Sequence, residues 1–243
     1  MSLIDPTVAA WAVAIATLAG LVHGYSGFGG ALLTVPLLSL LLRPVDAVVV
    51  ATAAAVIGQL PVARQALWQA SWTDCAPFLV GIVPGMAVGV LLLVDSDTGL
   101  LRRIVGMSTL AAAIVLAVGW AYRGPRGAAI GGTFGVLCGL LAGVTGQGGP
   151  VAVTYFMAAP LEPRQQRASI VAVVTGMIMV QFVAQVLSGV ATTRTLLLGF
   201  VMGFPLLAAV WAGSRLFEYL PKQNYRRATL LLLFFAGVAA LLK

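Results

Sequence analysis

Charge is what this chain has least of. Of its 243 residues only 9% are Asp, Glu, Lys or Arg, while 60% are hydrophobic; a soluble domain needs roughly 25% charged residues to dress its surface. That shortage excludes a water-facing globule and makes lipid the main solvent. Carboxylates are the scarcest, and none lies inside an apolar run: Asp5, Asp46, Asp74, Asp95, Asp97, Glu162 and Glu218 sit at run ends or in loops. Cation pumps and proton relays keep a carboxylate within the membrane, so its lack favours an anion as ligand. Histidine occurs once, and cysteine only as Cys75 and Cys138. These make neither a disulfide framework nor a metal site, which needs a fuller ligand set, and no cofactor is expected. No Lys or Arg precedes the first apolar run, whereas a cleaved signal starts basic, so the first segment is expected to stay. The net charge of +7 comes from basic residues between apolar runs rather than from a patch interleaved with aromatics. Cytoplasmic loops of a membrane protein explain it better than nucleic acid does.

What remains is long and apolar. Residues 6–42, 75–94, 104–122, 127–161, 168–193 and 195–214 contain no charged residue, and 47–63 and 228–242 are shorter runs of the same kind. About 20 apolar residues span a bilayer as helix, and the Gly and Ala content suits helices packed closely on one another. The chain therefore reads as an all-α integral membrane protein, multi-pass in the cell membrane.

The runs repeat. Gly20-Leu-Val-His-Gly-Tyr-Ser-Gly-Phe-Gly-Gly30 aligns with Gly139-Leu-Leu-Ala-Gly-Val-Thr-Gly-Gln-Gly-Gly149: Gly20, Leu21, Gly24, Gly27, Gly29 and Gly30 all recur 119 positions later. Ser26 meets Thr145 and Pro44 meets Pro163 at the same offset; Gln59 resembles Gln181, Pro84 resembles Pro205, and Arg102-Arg103 resembles Arg226-Arg227 at slightly larger ones. Residues 1–121 and 127–243 are thus read as two transmembrane repeats joined by the linker 122–126, where Gly124 and Pro125 break the helix.

Each repeat opens with an uncharged run of about 35 residues, which as one helix would be roughly 52 Å long against about 30 Å of hydrocarbon. Glycines at its middle disfavour continuous helix, so each run is predicted to be a re-entrant broken-helix hairpin. Three ordinary transmembrane helices are predicted after each, at 46–67, 76–94 and 104–121, then 168–189, 195–214 and 227–242. An odd number of crossings makes the repeats inverted. Nine of the basic residues then share one face and five the other; the richer face is assigned to the cytoplasm, leaving both termini outside. If each broken run crossed once, the split would be the same with parallel repeats, so run length decides for inversion.

Non-helical backbone within a bilayer survives only where it is buried in protein or lines a cavity. The helices restarting near Gly29 and Gly148 would present free N–H groups and positive dipole ends, and two such ends converging make an anion site. Close helix packing is the competing account of these glycines; the matched clusters and hydroxyls favour the site. The candidate substrate-binding residues are Ser26, Gly27, Phe28, Gly29 and Gly30 with Thr145, Gly146, Gln147, Gly148 and Gly149. Gln59 and Gln181 join them, as buried amides that line the path or hold helices together. His23 is the candidate for proton coupling, since its ordinary pKa is near 6.5; the alternative role is a structural hydrogen bond.

At these residues the chain resembles the TauE/SafE family of sulfite-exporter-like membrane transporters. Gly27-Phe-Gly-Gly30 followed by Pro36 is similar to its first motif, Gly146-Gln-Gly-Gly-Pro150 to its second, and Trp72-Thr-Asp74 to its inter-helix loop. Phe28 and Gln147 replace an aliphatic residue usual there, and Tyr155 a proline. The resemblance implies movement of sulfite, organosulfonates or related small sulfur and carboxylate anions, with no enzymatic activity.

Alternating-access transport of a small anion is the expected function. A passive anion channel is the first rival, because a glycine-lined path need not alternate its access. An intramembrane serine protease built on Ser26 is remote: its base would have to be His23, three residues away on the same turn, and the second repeat lacks a histidine. Small-residue helix faces leave a homodimer open.

Overall fold

The computed structural model describes the backbone of residues 6–26, 29–216 and 222–242, with side chains for 10–24, 29–215 and 231–241. These residues form eleven helices: α1 (Pro6–Ser26), α2 (Gly30–Ser39), α3 (Pro44–Gly58), α4 (Leu60–Gln69), α5 (Trp72–Asp95), α6 (Thr98–Val118), α7 (Ala128–Thr145), α8 (Gly149–Phe156), α9 (Pro163–Leu187), α10 (Thr193–Leu216) and α11 (Lys222–Leu242). Five described helices are long and apolar enough to cross a membrane: α5, α6, α7, α9 and α10 down to Arg215.

Both long uncharged runs break at their glycines. In the first, Gly29 takes φ 93° as the N-cap of α2; in the second, Gly146 takes φ 75° as the C-cap of α7. Side chains with a Cβ are disfavoured in that left-handed region by roughly 1–2 kcal/mol, so glycine sets the break point. The helices after the breaks have 10 and 8 residues, about 15 and 12 Å at 1.5 Å per residue. Neither can cross alone. α7, with 18 residues, spans about 27 Å, so the arms of the second broken run are unequal.

One expected span is not a single helix. The stretch predicted as 46–67 is α3 and α4, bent by 66° at Gln59. Pro61 lies in the first turn of α4, where it has no N–H to give and its ring crowds the carbonyl of Ile57. Arg64, Gln65 and Gln69 make α4 the most polar helix before the linker.

Two of the packed cores have related make-up. One gathers α1, α2, α3 and α10 with α6 and α11 around residues such as Val22, Leu33, Val50 and Val210. The other gathers α5, α7, α8 and α9 around Phe78, Ile82, Tyr155 and Val173. Contact along α5 and α7 is backbone to backbone. A Cβ on Gly85 would fall on the Val136 carbonyl, one on Gly135 on the Phe78 carbonyl, and one on Gly139 on the Ile82 carbonyl. α1 meets α10 in the same way, Gly24 against the Val210 carbonyl and Gly213 against that of Leu21. Glycine here permits close approach, as membrane helices require when no water drives them together. The stretch 122–126 is stitched to α8: Tyr122 N donates to Thr154 O at 2.8 Å and Arg126 Nη2 to Tyr155 O at 2.7 Å.

Candidate functional site

The two breaks open into one cavity of about 700 Å³, open mouth included, lined by the breaks themselves and by parts of α1, α2, α3, α8, α9 and α10. From the first break come Gly29 and Gly30 with His23; from the second, Gly146, Gln147, Gly149 and Pro150; Gln59 and Gln181 complete the polar lining with Thr34 and Thr52. The remainder is apolar, including Val35, Val174, Met177 and Ile178. Two break glycines come close to the walls. A Cβ on Gly30 would lie 3.2 Å from His23 Nδ1, and one on Gly146 would lie 3.1 Å from Val35 Cγ2 of α2.

Two helix N-termini reach this cavity with no side-chain cap. Neither Gly29 nor Gly148 supplies a capping hydrogen bond, so the first-turn N–H groups of α2 lack helical partners. α8 is poorer in donors: Pro150 has no N–H, and Val151 N already donates to Gly148 O at 3.1 Å. The α8 end thus has few first-turn donors to offer an anion.

Side chains around it are held in place. Gln147 reaches α6, where its Oε1 accepts from Ser108 Oγ at 2.9 Å and its Nε2 lies 2.9 Å from Thr109 Oγ1. Gln181 Nε2 donates to Ala142 O at 3.0 Å, in the last turn of α7. His23 Nε2 lies 2.7 Å from Gln59 Oε1, and Gln59 Nε2 lies 3.4 Å from Thr175 Oγ1 on α9.

Several candidates fall elsewhere. Thr145 is fully buried and does not line the cavity; its hydroxyl donates to Leu141 O at 2.7 Å and accepts from Gln147 N at 3.3 Å. Gly148 is a packing position, where a Cβ would meet Cys138 O at 2.6 Å and Ala142 Cβ at 2.9 Å. Ser26 closes α1, with its side chain outside the described residues; Gly27 and Phe28 lie outside them altogether. Sequence reasoning passed over Thr52, Thr175 and Met177. A lone hydroxyl in an apolar run is a weak signal, because it can bond its own helix, as Thr52 does to Val48 O and Thr175 to Val171 O.

The comparison with family descriptions decides the assignment: the description of sulfite exporter TauE/SafE matches residues 12–240. The chain belongs to the TauE/SafE family. It is a multi-pass membrane transporter and not an enzyme, which removes the protease reading of Ser26. No curated protein and no solved structure matches this TauE/SafE chain. Among its described residues no cluster of three or more His, Cys, Asp or Glu could hold a metal ion.

Proposed function

We propose that the protein is a secondary transporter for small sulfur anions such as sulfite or organosulfonates, binding the anion in the cavity between the two glycine breaks. The observation that carries this reading is the shared cavity: Gly29 and Gly30 of one broken run and Gly146 and Gly149 of the other line the same space. A desolvated anion there would meet backbone N–H groups and a positive helix end without needing a fixed cation. Among the ten candidates in the glycine runs, those facing the cavity would bind the ligand; Thr145 and Gly148 would hold the second break in shape. Gln59 and Gln181 would contact the anion from opposite sides, with the α2 end as the principal anchor.

Residues 1–121 and 127–243 act in this proposal as inverted repeats about the cavity, with both termini outside. The exchanged packing of α1 on α10 and α7 on α5 supports the division into two repeats, because helices at corresponding positions then meet corresponding partners. Rocking of one group of helices against the other would open the cavity to each side in turn. The proposal is tested with the purified protein in liposomes, by following labelled sulfite and taurine across an imposed gradient. Accumulation above the outside concentration under a proton gradient is expected. Flux that only dissipates a gradient would make the protein a channel, and no flux of either compound would overturn the substrate class.

A further inference from the structure

His23 is the one titratable side chain among the described residues lining the cavity, and its tautomer follows from the bonds leading to it. Thr175 donates its hydroxyl to Val171 O at 2.8 Å, so its oxygen is left to accept, and Gln59 Nε2 is the donor at 3.4 Å. With Nε2 turned to α9, Gln59 presents Oε1 to His23 Nε2 at 2.7 Å. A carbonyl oxygen only accepts, so Nε2 carries the hydrogen, and in the neutral ring Nδ1 is a bare acceptor. Nδ1 faces Gly30, the first residue of α2, within 3.2 Å of where a Cβ would stand.

We propose that His23 takes a proton on Nδ1 from water in the open cavity as the anion enters, so that the imidazolium and the α2 N-terminus hold the anion together and one proton crosses with each anion. This rests on the cavity being the anion site. The charges on the packed elements favour joint loading. Residues 10–24 of α1 and all of α2 are uncharged. On α3 the carboxylate of Asp46 is at the far end, paired with Arg43 at 2.8 Å, and α4 brings Arg64. On α9, Arg167 Nη2 donates to Gly24 O at 3.4 Å, next to His23, while Glu162 and Arg164 are exposed around that helix's start. On α10, Arg215 stacks over Trp211 at 5.1 Å. Among these described charges the one bonded beside His23 along the chain is a cation rather than a carboxylate, and a lone imidazolium would be a costly buried charge. An arriving anion supplies a counter-charge that no described residue lining the cavity provides. The second half carries Ala142 at the corresponding position, so there is one such proton site per chain.

The chain's single histidine permits a direct test. Nitrogen-15 histidine-labelled protein in nanodiscs is observed by NMR with and without ethanesulfonate, a sulfonate that does not itself titrate near neutral pH. The Nε2–H tautomer is expected without the probe at about pH 8, and a doubly protonated ring with it. The dissociation constant of the probe should weaken about tenfold per pH unit above the free ring's pKa, and His23→Gln should bind with a weaker, pH-independent affinity. A ring that stays neutral with the probe bound, or an Nδ1–H tautomer in the free protein, overturns the proton proposal and leaves the anion site standing. Failure of ethanesulfonate and of sulfite to bind wild type at any pH overturns the anion site and the proposal with it.

Discussion

Gln181 donates its amide to the backbone carbonyl of Ala142 at 3.0 Å, and Ala142 stands 119 positions after His23. Gln59, the counterpart of Gln181, meets His23 at 2.7 Å. Matching glutamines thus reach for matching places on the helix before each break, one finding an imidazole and the other a peptide group. The cavity between them is asymmetric in chemistry because of that single substitution, with Pro150 adding to the bias by removing a donor from α8.

Removing the two amides should therefore have unequal effects. After Gln181→Leu the Ala142 carbonyl keeps its bond from Gly146 N at 2.8 Å, and the loss should be about 0.5–1.5 kcal/mol. Gln59→Leu leaves the buried imidazole N–H without a partner, a cost of about 1–3 kcal/mol. Melting temperatures in detergent should rank wild type, Gln181→Leu, then Gln59→Leu; equal melting of the two variants would contradict the assigned bonds.

Gly146 and Gly189 both hold φ at 75°, but Gly146 faces Val35 while nothing lies within 4 Å of a Cβ on Gly189. Alanine at either position should cost about 1–2 kcal/mol through backbone strain. Gly189→Ala should leave anion affinity unchanged, whereas Gly146→Ala should weaken it several-fold by crowding the cavity. Equal affinities, measured by titration calorimetry, would separate Gly146 from the binding site.

The α5–α7 contact gives a matched pair for packing. Gly85→Ala drives a methyl group onto the Val136 carbonyl and should destabilise by about 1–3 kcal/mol. Gly132→Ala, on the same face of contact, meets only Pro77 O at 3.8 Å and should be neutral. Size-exclusion profiles after mild heating should show aggregation for the first variant only.

Topology is tested on the second broken run. If α7 and α8 form a hairpin, Arg123→Cys and Glu162→Cys should both react with a membrane-impermeant maleimide from the cytoplasmic side. Native Cys75 and Cys138 are buried and should stay silent. Labelling from opposite sides would mean that the run crosses once, and the repeats would be parallel.

How far the sequence could be read depended on what each residue must do locally. The breaks at Gly29 and Gly146 were legible because a left-handed backbone leaves glycine as the ready choice, and the cavity's polar residues because His23, Gln59, Gln147 and Gln181 interrupt apolar runs. The bend at Gln59 was not, since the absence of charge identifies a span but says nothing of its straightness. Its signal was Gly58 followed by Pro61; α9 has no proline after Gln181 and runs on unbroken. Thr145 was read as a hydroxyl donor for the anion; what the sequence did not show is that its hydroxyl also reaches the carbonyl of Leu141 one turn back. Gly148 looked like its neighbours in sequence but packs against Cys138, a distinction that only the helix's rotation about its axis makes.

The pairing of α1 with α10 has a consequence for how the protein is made. α1 is synthesised well before the helix that covers Gly20 and Gly24, which begins only at Thr193. Until α10 has been made, that glycine face lacks its α10 partner and must wait in lipid or against an insertion factor. Assembly is therefore a late, post-insertion event, and a chain cut short before α10 should be recognised as unfinished by membrane proteases however well its individual helices have inserted.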